Sequence, residues 1–279
     1  MALTEWLRQR LENSYITSLD AFRVSGIDNG LSIASGSLTG YSYLHKFGNA
    51  PDFDTTDGVV TIWDGANDGG INAMDYTYSA TTDIDSLSSS NNGDTQSIEI
   101  QGLDSSYAVV TQTVVLTGQT RKALTTSLIR VFRMKNVGTT DIAGTLYCYV
   151  NTAITAGVPN DATKVRAVIT NGNNQTLMSV YTIPSGKSGY LRSWYATTGG
   201  ASKTSQYIVD LFARPFGQVF QLKHRSSISD TGTSYINHEY VEPEMFSEKT
   251  DIEMRVQATA VGATAASISS GFDIVLVDN

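Results

Sequence analysis

The order of hydrophobic and polar positions is most informative between Ser97 and Asn136. There Ile98 and Ile100, then Val110 and Val114, then Ile129, Val131 and Phe132 punctuate runs rich in β-branched and aromatic residues, separated by Gly, Ser, Thr and Asp. This is the pattern of strands and turns. Over Leu128 to Asn136 it sets Ile129, Val131 and Arg133 on one side and Arg130, Phe132 and Met134 on the other, because successive strand side chains point to opposite faces. Neither side is wholly polar, so this strand is expected to be covered on both faces.

Similar runs continue to the end of the chain, over Ala108 to Leu116, Ile142 to Asn151, Val165 to Thr170, Gln175 to Ile183, Gly189 to Ala196, Gln206 to Arg214, Gln218 to Arg225, Tyr235 to Val241, Asp251 to Thr259 and Phe272 to Val277. Turn residues fall between them at Asn171-Gly172-Asn173-Asn174, Pro184-Ser185-Gly186 and Gly199-Gly200. Many strands with almost no helical intervals predict an all-β fold, a β-sandwich of antiparallel sheets of jelly-roll or immunoglobulin-like kind. No sustained internal repeat supports a propeller or β-helix.

One helical period stands apart. Leu3, Leu7, Leu11 and Tyr15 recur every four residues with Trp6 alongside, Thr4 is placed to cap the N-terminus, and Glu5 sits in the first turn. The pattern predicts a short N-terminal α-helical arm whose apolar face covers either its own sandwich or a neighbouring subunit. From Tyr41 to Gly93 the pattern is irregular, with brief strand-like pieces at Val59 to Trp63 and Asp75 to Ser79; Trp63, Tyr76 and Tyr78 argue that these loops pack. The predicted organisation is an arm over 1–25, a loop-rich segment over 26–96 packing on the body, and one β-sandwich body over 97–279.

Composition narrows the function. Charged residues supply 16% of the chain, against roughly 25% in an ordinary soluble domain, which suits surfaces that meet other subunits. A net charge of −8 argues against nucleic acid as the main partner, since that needs clustered Lys and Arg. Cys148 is the single cysteine, set in the strand-like LYCYV, and reads as a small buried hydrophobe. No apolar run is long enough for a membrane span, and no signal-peptide core opens the chain, so synthesis and folding are expected in the cytoplasm.

Candidate chemistry mostly fails on spacing. Asp52-Phe53-Asp54-Thr55-Thr56-Asp57-Gly58 is the nearest approach to a calcium loop, but an EF-hand starting at Asp52 would need glycine at Asp57 and glutamate at Trp63. Asx-turns account for it better, leaving a cation site of another design, with Asp64 or Asp68, as the alternative. Ser185-Gly186-Lys187-Ser188 lacks the first glycine of a phosphate loop, and His238-Glu239 lacks a second histidine at Glu242. Glu242 and Glu244 imitate a glycosidase pair of a kind common on strand surfaces. His45, His224 and His238 have no nucleophile assigned by sequence. No active site, metal or cofactor is therefore expected. The aromatic strand residues Tyr190, Trp194 and Tyr195, and Tyr147 with Tyr149, suit core packing first, and an oligomer interface or a sugar groove second.

The segments YSYLHKFGNAPDFDTTDGVVTIWDG (41–65), LIRVFRMKNVGTTDIAG (128–144), NTAITAGVP (151–159), GNNQTLMSVYTIPSGKSGYLRSWYA (172–196), ARPFGQVFQLKH (213–224) and GFDIVLVDN (271–279) resemble a group of virion structural proteins of tailed bacteriophages, of a type frequent in aquatic phages. The resemblance covers most of the chain from Tyr41 onward and least of the arm. It implies a virion component assembled in the host cytoplasm, first a capsid decoration or cement protein binding the major capsid protein as a homo-oligomer, with a trimer favoured. A tail, neck, baseplate or fibre-adaptor station, or a host-glycan-binding module, is the alternative. It implies no catalytic residue. If Leu3, Trp6, Leu7, Leu11 and Tyr15 form the anchor, deleting residues 1–15 should abolish incorporation into particles and leave the thermal melt of the body unchanged; normal incorporation of the truncated protein would remove the arm from that role.

Overall fold

The computed structural model describes residues 15–16, 21–22, 29–54, 56–68, 71–72, 75–199, 206–229, 234–259 and 266–279. They belong to two compact units, Met1–Tyr43 and Leu44–Asn279. In the first, β1 (Tyr15–Ile16) and β2 (Ala21–Phe22) pair antiparallel, with Tyr15 opposite Phe22, and α1 (Asn29–Ala34) follows. Leu3, Trp6, Leu7 and Leu11 of the expected arm lie outside the described residues. Tyr15, the last position of its stripe, is in a strand rather than a helix. Neighbouring aromatic and β-branched residues favour extended backbone when a partner strand is within reach.

The remaining strands are β3 (Tyr41–Phe53), β4 (Val59–Thr61), β5 (Ala66–Asp68), β6 (Ile71–Asn72), β7 (Ile84–Ser89), β8 (Ser97–Leu103), β9 (Val109–Val115), β10 (Lys122–Leu128), β11 (Arg130–Asn136), β12 (Leu146–Val150), β13 (Ile154–Thr155), β14 (Val158–Pro159), β15 (Val165–Ile169), β16 (Val180–Thr182), β17 (Lys187–Thr198), β18 (Gln206–Arg214), β19 (Gln221–Ser229), β20 (Tyr235–Phe246), β21 (Asp251–Ala258) and β22 (Ala266–Asp278). Besides the two-stranded pairs β5-β6 and β13-β14, four larger sheets are formed by the described residues of the second unit. Their strand orders are β10-β7-β12-β15, β11-β8-β9, β16-β21-β18-β19 with β4 also on β21, and β20-β17-β22-β3. The chain is nearly all β, as expected, and neighbours such as β8 and β9, β17 and β22, and β18 and β21 pair antiparallel.

Three differences from the sequence pattern have physical causes. The run from Tyr41 to Phe53, expected to be loop, is one long strand, because Pro51 is tolerated on the outer strand of a sheet. Gly48 in it is required by close approach: a Cβ there would stand 2.4 Å from the Ser179 nitrogen and 2.5 Å from the Ile62 oxygen. Ile84 to Ser89, inside the stretch expected to be irregular, is instead β7, whose Ser86, Ser88 and Ser89 are buried. Their hydroxyls are satisfied internally: Ser88 Oγ donates to the Gly157 carbonyl at 2.7 Å, and Ser89 Oγ to Asp94 Oδ2 at 2.5 Å, which is what permits polar side chains inside a sheet. Conversely, Asp75 to Ser79 is not a strand. Tyr76 holds it down by packing edge-on against Trp63 (5.2 Å) and Tyr78 (4.9 Å), so these loops do pack.

The body's core draws on all four sheets. In β11 Arg130, Val131 and Phe132 are buried in succession, so the strand is covered on both faces over its first half; beyond a register shift between Val131 and Arg133, Met134 is buried and Arg133 exposed. Cys148 is fully buried in β12, and burial pushes its thiol up to about 12. Lys46 on β3 is buried too, its ammonium donating to the Phe132 carbonyl. Burial first, and the charge of Arg133 second, lower its pKa from 10.5 to about 7. Between those two values the unfolded chain keeps a proton that the folded one releases, so this residue's contribution to stability rises with pH across that window. Lys46→Met should therefore raise the urea midpoint most near about pH 6 and progressively less towards about pH 10; an equal gain at both would show that the buried charge is not what Lys46 costs the fold.

Candidate functional site

A break in the register of β11 between Val131 and Arg133 places Arg130, opposite Leu103, on the other face of the sheet from Met134, opposite Ile100. Arg130 is buried there all the same, and a buried guanidinium requires an anion. Asp251, the first residue of β21, supplies it. Arg130 Nε and Nη2 donate to Asp251 Oδ1 (2.8 Å) and Oδ2 (3.1 Å), and Nη1 donates to the carbonyls of Ser79 (2.6 Å) and Ile129 (2.9 Å). Sheet register sets the rest. Thr182 on β16 and Arg214 on β18 stand opposite Asp251 on either side. Thr182 Oγ1 donates to Oδ1 at 2.6 Å, and Arg214 Nη2 to Oδ2 at 2.6 Å. One carboxylate thus joins three strands of its own sheet to Arg130 of another.

Beside this network lies a cleft of about 280 Å³. Tyr78, Tyr107 and Phe216 give it aromatic walls, and Arg130, Arg214 and Lys249 give it cations. Arg130 stands over the rings of Tyr78 (5.1 Å) and Tyr107 (5.6 Å), Arg214 over Tyr78 (4.6 Å), and Lys249 over Tyr107 (5.7 Å) and Phe216 (5.5 Å), all at cation–π range. Tyr107 and Lys249 both have left-handed backbone, with φ of 63° and 61°. A bulky residue adopts that conformation only where its surroundings fix it.

The histidines divide into two clusters. His45 Nδ1 and Ser193 Oγ bond the two oxygens of Asp273, each at 2.7 Å. The carboxylate therefore stands between ring and hydroxyl, whereas a nucleophilic triad needs the ring between hydroxyl and carboxylate. His224 on β19 and His238 on β20 lie with ring centroids 4.3 Å apart and planes tilted at 46°, beside Trp194 and Tyr240. Burial, followed by the neighbouring His238, lowers the His224 pKa.

Of the aromatics singled out by sequence, Trp194 is buried against His224, while Tyr190 and Tyr195 are half-buried, Tyr195 stacking on His45 at 6.2 Å. Tyr147 and Tyr149 are core residues. The acidic loop forms an Asx-turn: Asp54 Oδ1 accepts from the Thr56 nitrogen at 2.7 Å, while Asp57 Oδ2 accepts from the Asp54 nitrogen at 2.7 Å. Asp64 is buried and accepts from the Leu177 nitrogen. Glu244 pairs with Lys223 at 3.1 Å. Nothing in the spacing of the sequence signalled Arg130, Arg214 and Lys249 as neighbours, since they meet only through the sheets.

A second feature is the apolar surface near β19 and β20, the outer strands of their sheets. Phe216, Val219, Leu222, Tyr235, Val241 and Met245 are exposed there, Val241 at 96%. Pro243, Glu239, Glu242 and Glu244 in β20 oppose further strand addition at the same edge, so contact through side chains is left open and pairing through backbone is not.

No family model and no curated protein matches this chain. Among solved structures it is similar to particles of infectious bursal disease virus. The Gt strain matches at 12% identity over 85% of this chain and 72% of that one, with a TM-score of 0.25. The Gx strain matches at 12% over 85% and 71%, with 0.24, and the VP2 subviral particle at 9% over 86% and 73%, with 0.23. Scores of that size carry no shared strand arrangement, so the site stands on its own geometry.

Removing the carboxylate charge while keeping its shape, with Asp251→Asn, leaves Arg130 buried against a neutral amide. It should lower stability by roughly 3 to 5 kcal/mol, the cost of an uncompensated buried charge, read from urea unfolding. A loss below about 1 kcal/mol would mean that water already reaches the pair.

Proposed function

We propose that this chain is a structural component of a tailed-phage particle, working as a homo-oligomer that decorates and cements the capsid by binding the major capsid protein or other virion proteins. The observation that carries this reading is the apolar group on and beside β19 and β20, with Leu222, Tyr235, Val241 and Met245 left to solvent on strands that otherwise block edge pairing. Large apolar residues exposed on outer strands offer contact area to a partner, and the occupant proposed is a second copy of the same chain. The sequence resemblance supplies the particle context, and a trimer remains the favoured state. The body suits that role, since its sheets are joined by buried charge pairs and hydrogen-bonded serines, and its work is adhesion rather than bond making. The His45, Ser193 and Asp273 order supports a non-enzymatic reading.

Val241→Glu with Met245→Glu places charge on the proposed contact without touching the core. Light scattering should show the wild type as an oligomer and the double variant as monomer, and incorporation into particles should fall by about tenfold or more, equivalent to about 1.4 kcal/mol of lost contact. A wild type that is monomeric at micromolar concentration, or a variant that assembles as before, would sink the reading.

A further inference from the structure

The cleft between Tyr78, Tyr107 and Phe216 has features that subunit adhesion does not require. Its charges do not cancel: Arg130, Arg214 and Lys249 face one carboxylate, Asp251, in a protein whose overall charge is −8. Asp251 is already saturated by Arg130, Arg214 and Thr182. Arg130 Nη1 is taken up by the Ser79 and Ile129 carbonyls. Arg214 differs, because Nε and Nη2 go to Asp251 and Nη1 has no hydrogen-bond partner among the described residues. Lys249 likewise has only ring contacts at its ammonium. The neighbouring Glu248 carboxylate is committed elsewhere, to the Gly186 nitrogen at 2.6 Å and Ser185 Oγ at 3.1 Å.

Arg214, ion-paired with Asp251 but with Nη1 left over, and the Lys249 ammonium, which has the charge of Glu248 nearby but no hydrogen-bonded carboxylate among the described residues, therefore line a pocket whose other walls are aromatic. Phe216 is 62% exposed at its mouth, on a turn that Gly217 makes possible at φ 74°. Tyr107 and Lys249 hold left-handed backbone while facing each other there, and strain of that kind collects at ligand sites. A guanidinium and an ammonium together recognise a carboxylate. An exposed ring beside them offers a platform for the apolar face of a sugar, and about 280 Å³ approaches the lower limit of small-ligand pockets, roughly 300 Å³.

We propose that this cleft binds an acidic monosaccharide unit, a hexuronic or nonulosonic acid of a surface polysaccharide, with its carboxylate between Arg214 and Lys249 and its ring against Phe216. Phe216 belongs both to the cleft and to the exposed apolar residues near β19, but Val241 and Met245, whose substitution tests the oligomer contact, do not line the cleft.

The test is saturation-transfer NMR on the full-length protein with glucuronate, N-acetylneuraminate, glucose, acetate and a short glutamate-rich peptide. The variants are Lys249→Asn, which removes the charge with a residue tolerant of the left-handed backbone, and Phe216→Ala at an exposed position. Saturable binding of either acidic sugar, absent for glucose, with about a tenfold or greater loss in both variants and unchanged thermal melts, supports the proposal. Binding of acetate or the peptide as tight as that of the sugars would show that only a carboxylate is read and overturn the sugar assignment. No saturation by either acid sugar, or binding indifferent to both substitutions, overturns the site.

Discussion

The second unit depends on how Arg130 is satisfied. A guanidinium with 7% of its side chain exposed is tolerable only with its charge matched and most of its N–H groups accepted. Asp251 does the first and, with two main-chain carbonyls, accepts four of the five N–H groups. Because Thr182, Asp251 and Arg214 are register partners across β16, β21 and β18, a slip of one residue in either pairing would break the network. The charge pair therefore fixes register more than it adds stability, since apolar residues of similar volume would hold such a position at least as well.

The same constraint explains the chemistry of β21. Its alternation puts Ile252, Met254 and Val256 on one face and Asp251, Glu253 and Arg255 on the other. A charged face of that kind normally meets water, yet here Asp251 and Glu253 are buried. Arg255 pairs with Glu253 and stands over the Phe212 ring at 4.6 Å. Burial raises the Glu253 pKa, with the charge of Arg255 opposing it. The polar face is covered by Tyr78, Arg130 and Arg214, and the cleft opens where that cover stops.

A low fraction of charged residues does not mean that electrostatics matter little. Among the described residues Lys46, Asp64, Asp94, Arg130, Arg166, Asp210, Asp251 and Glu253 are buried, while β19 and β20 show apolar side chains outside. Exposed apolar side chains on outer strands are the feature on which the proposed adhesive role rests. A saturated carboxylate beside two underused cations suits capture of an anionic group.

Much of the architecture was legible in the sequence. Period-two runs and turn residues identified the all-β character and most strands from Ser97 onward, and Asn171 to Asn174 is a turn with Gly172 and Asn174 at positive φ, because local pattern suffices wherever one side of a strand faces the core. Other features depended on distant partners. Serines of β7 became interior because Tyr149, Gly157 and Asp94 lie beside them. Pro51 became strand because β3 is outermost. Tyr15 left the helical stripe for a strand partner at Phe22. The cleft was invisible for the same reason. Arg130, Arg214 and Lys249 are far apart along the chain and no spacing rule links them, so only the stacking and register of the sheets brings their charges to one place.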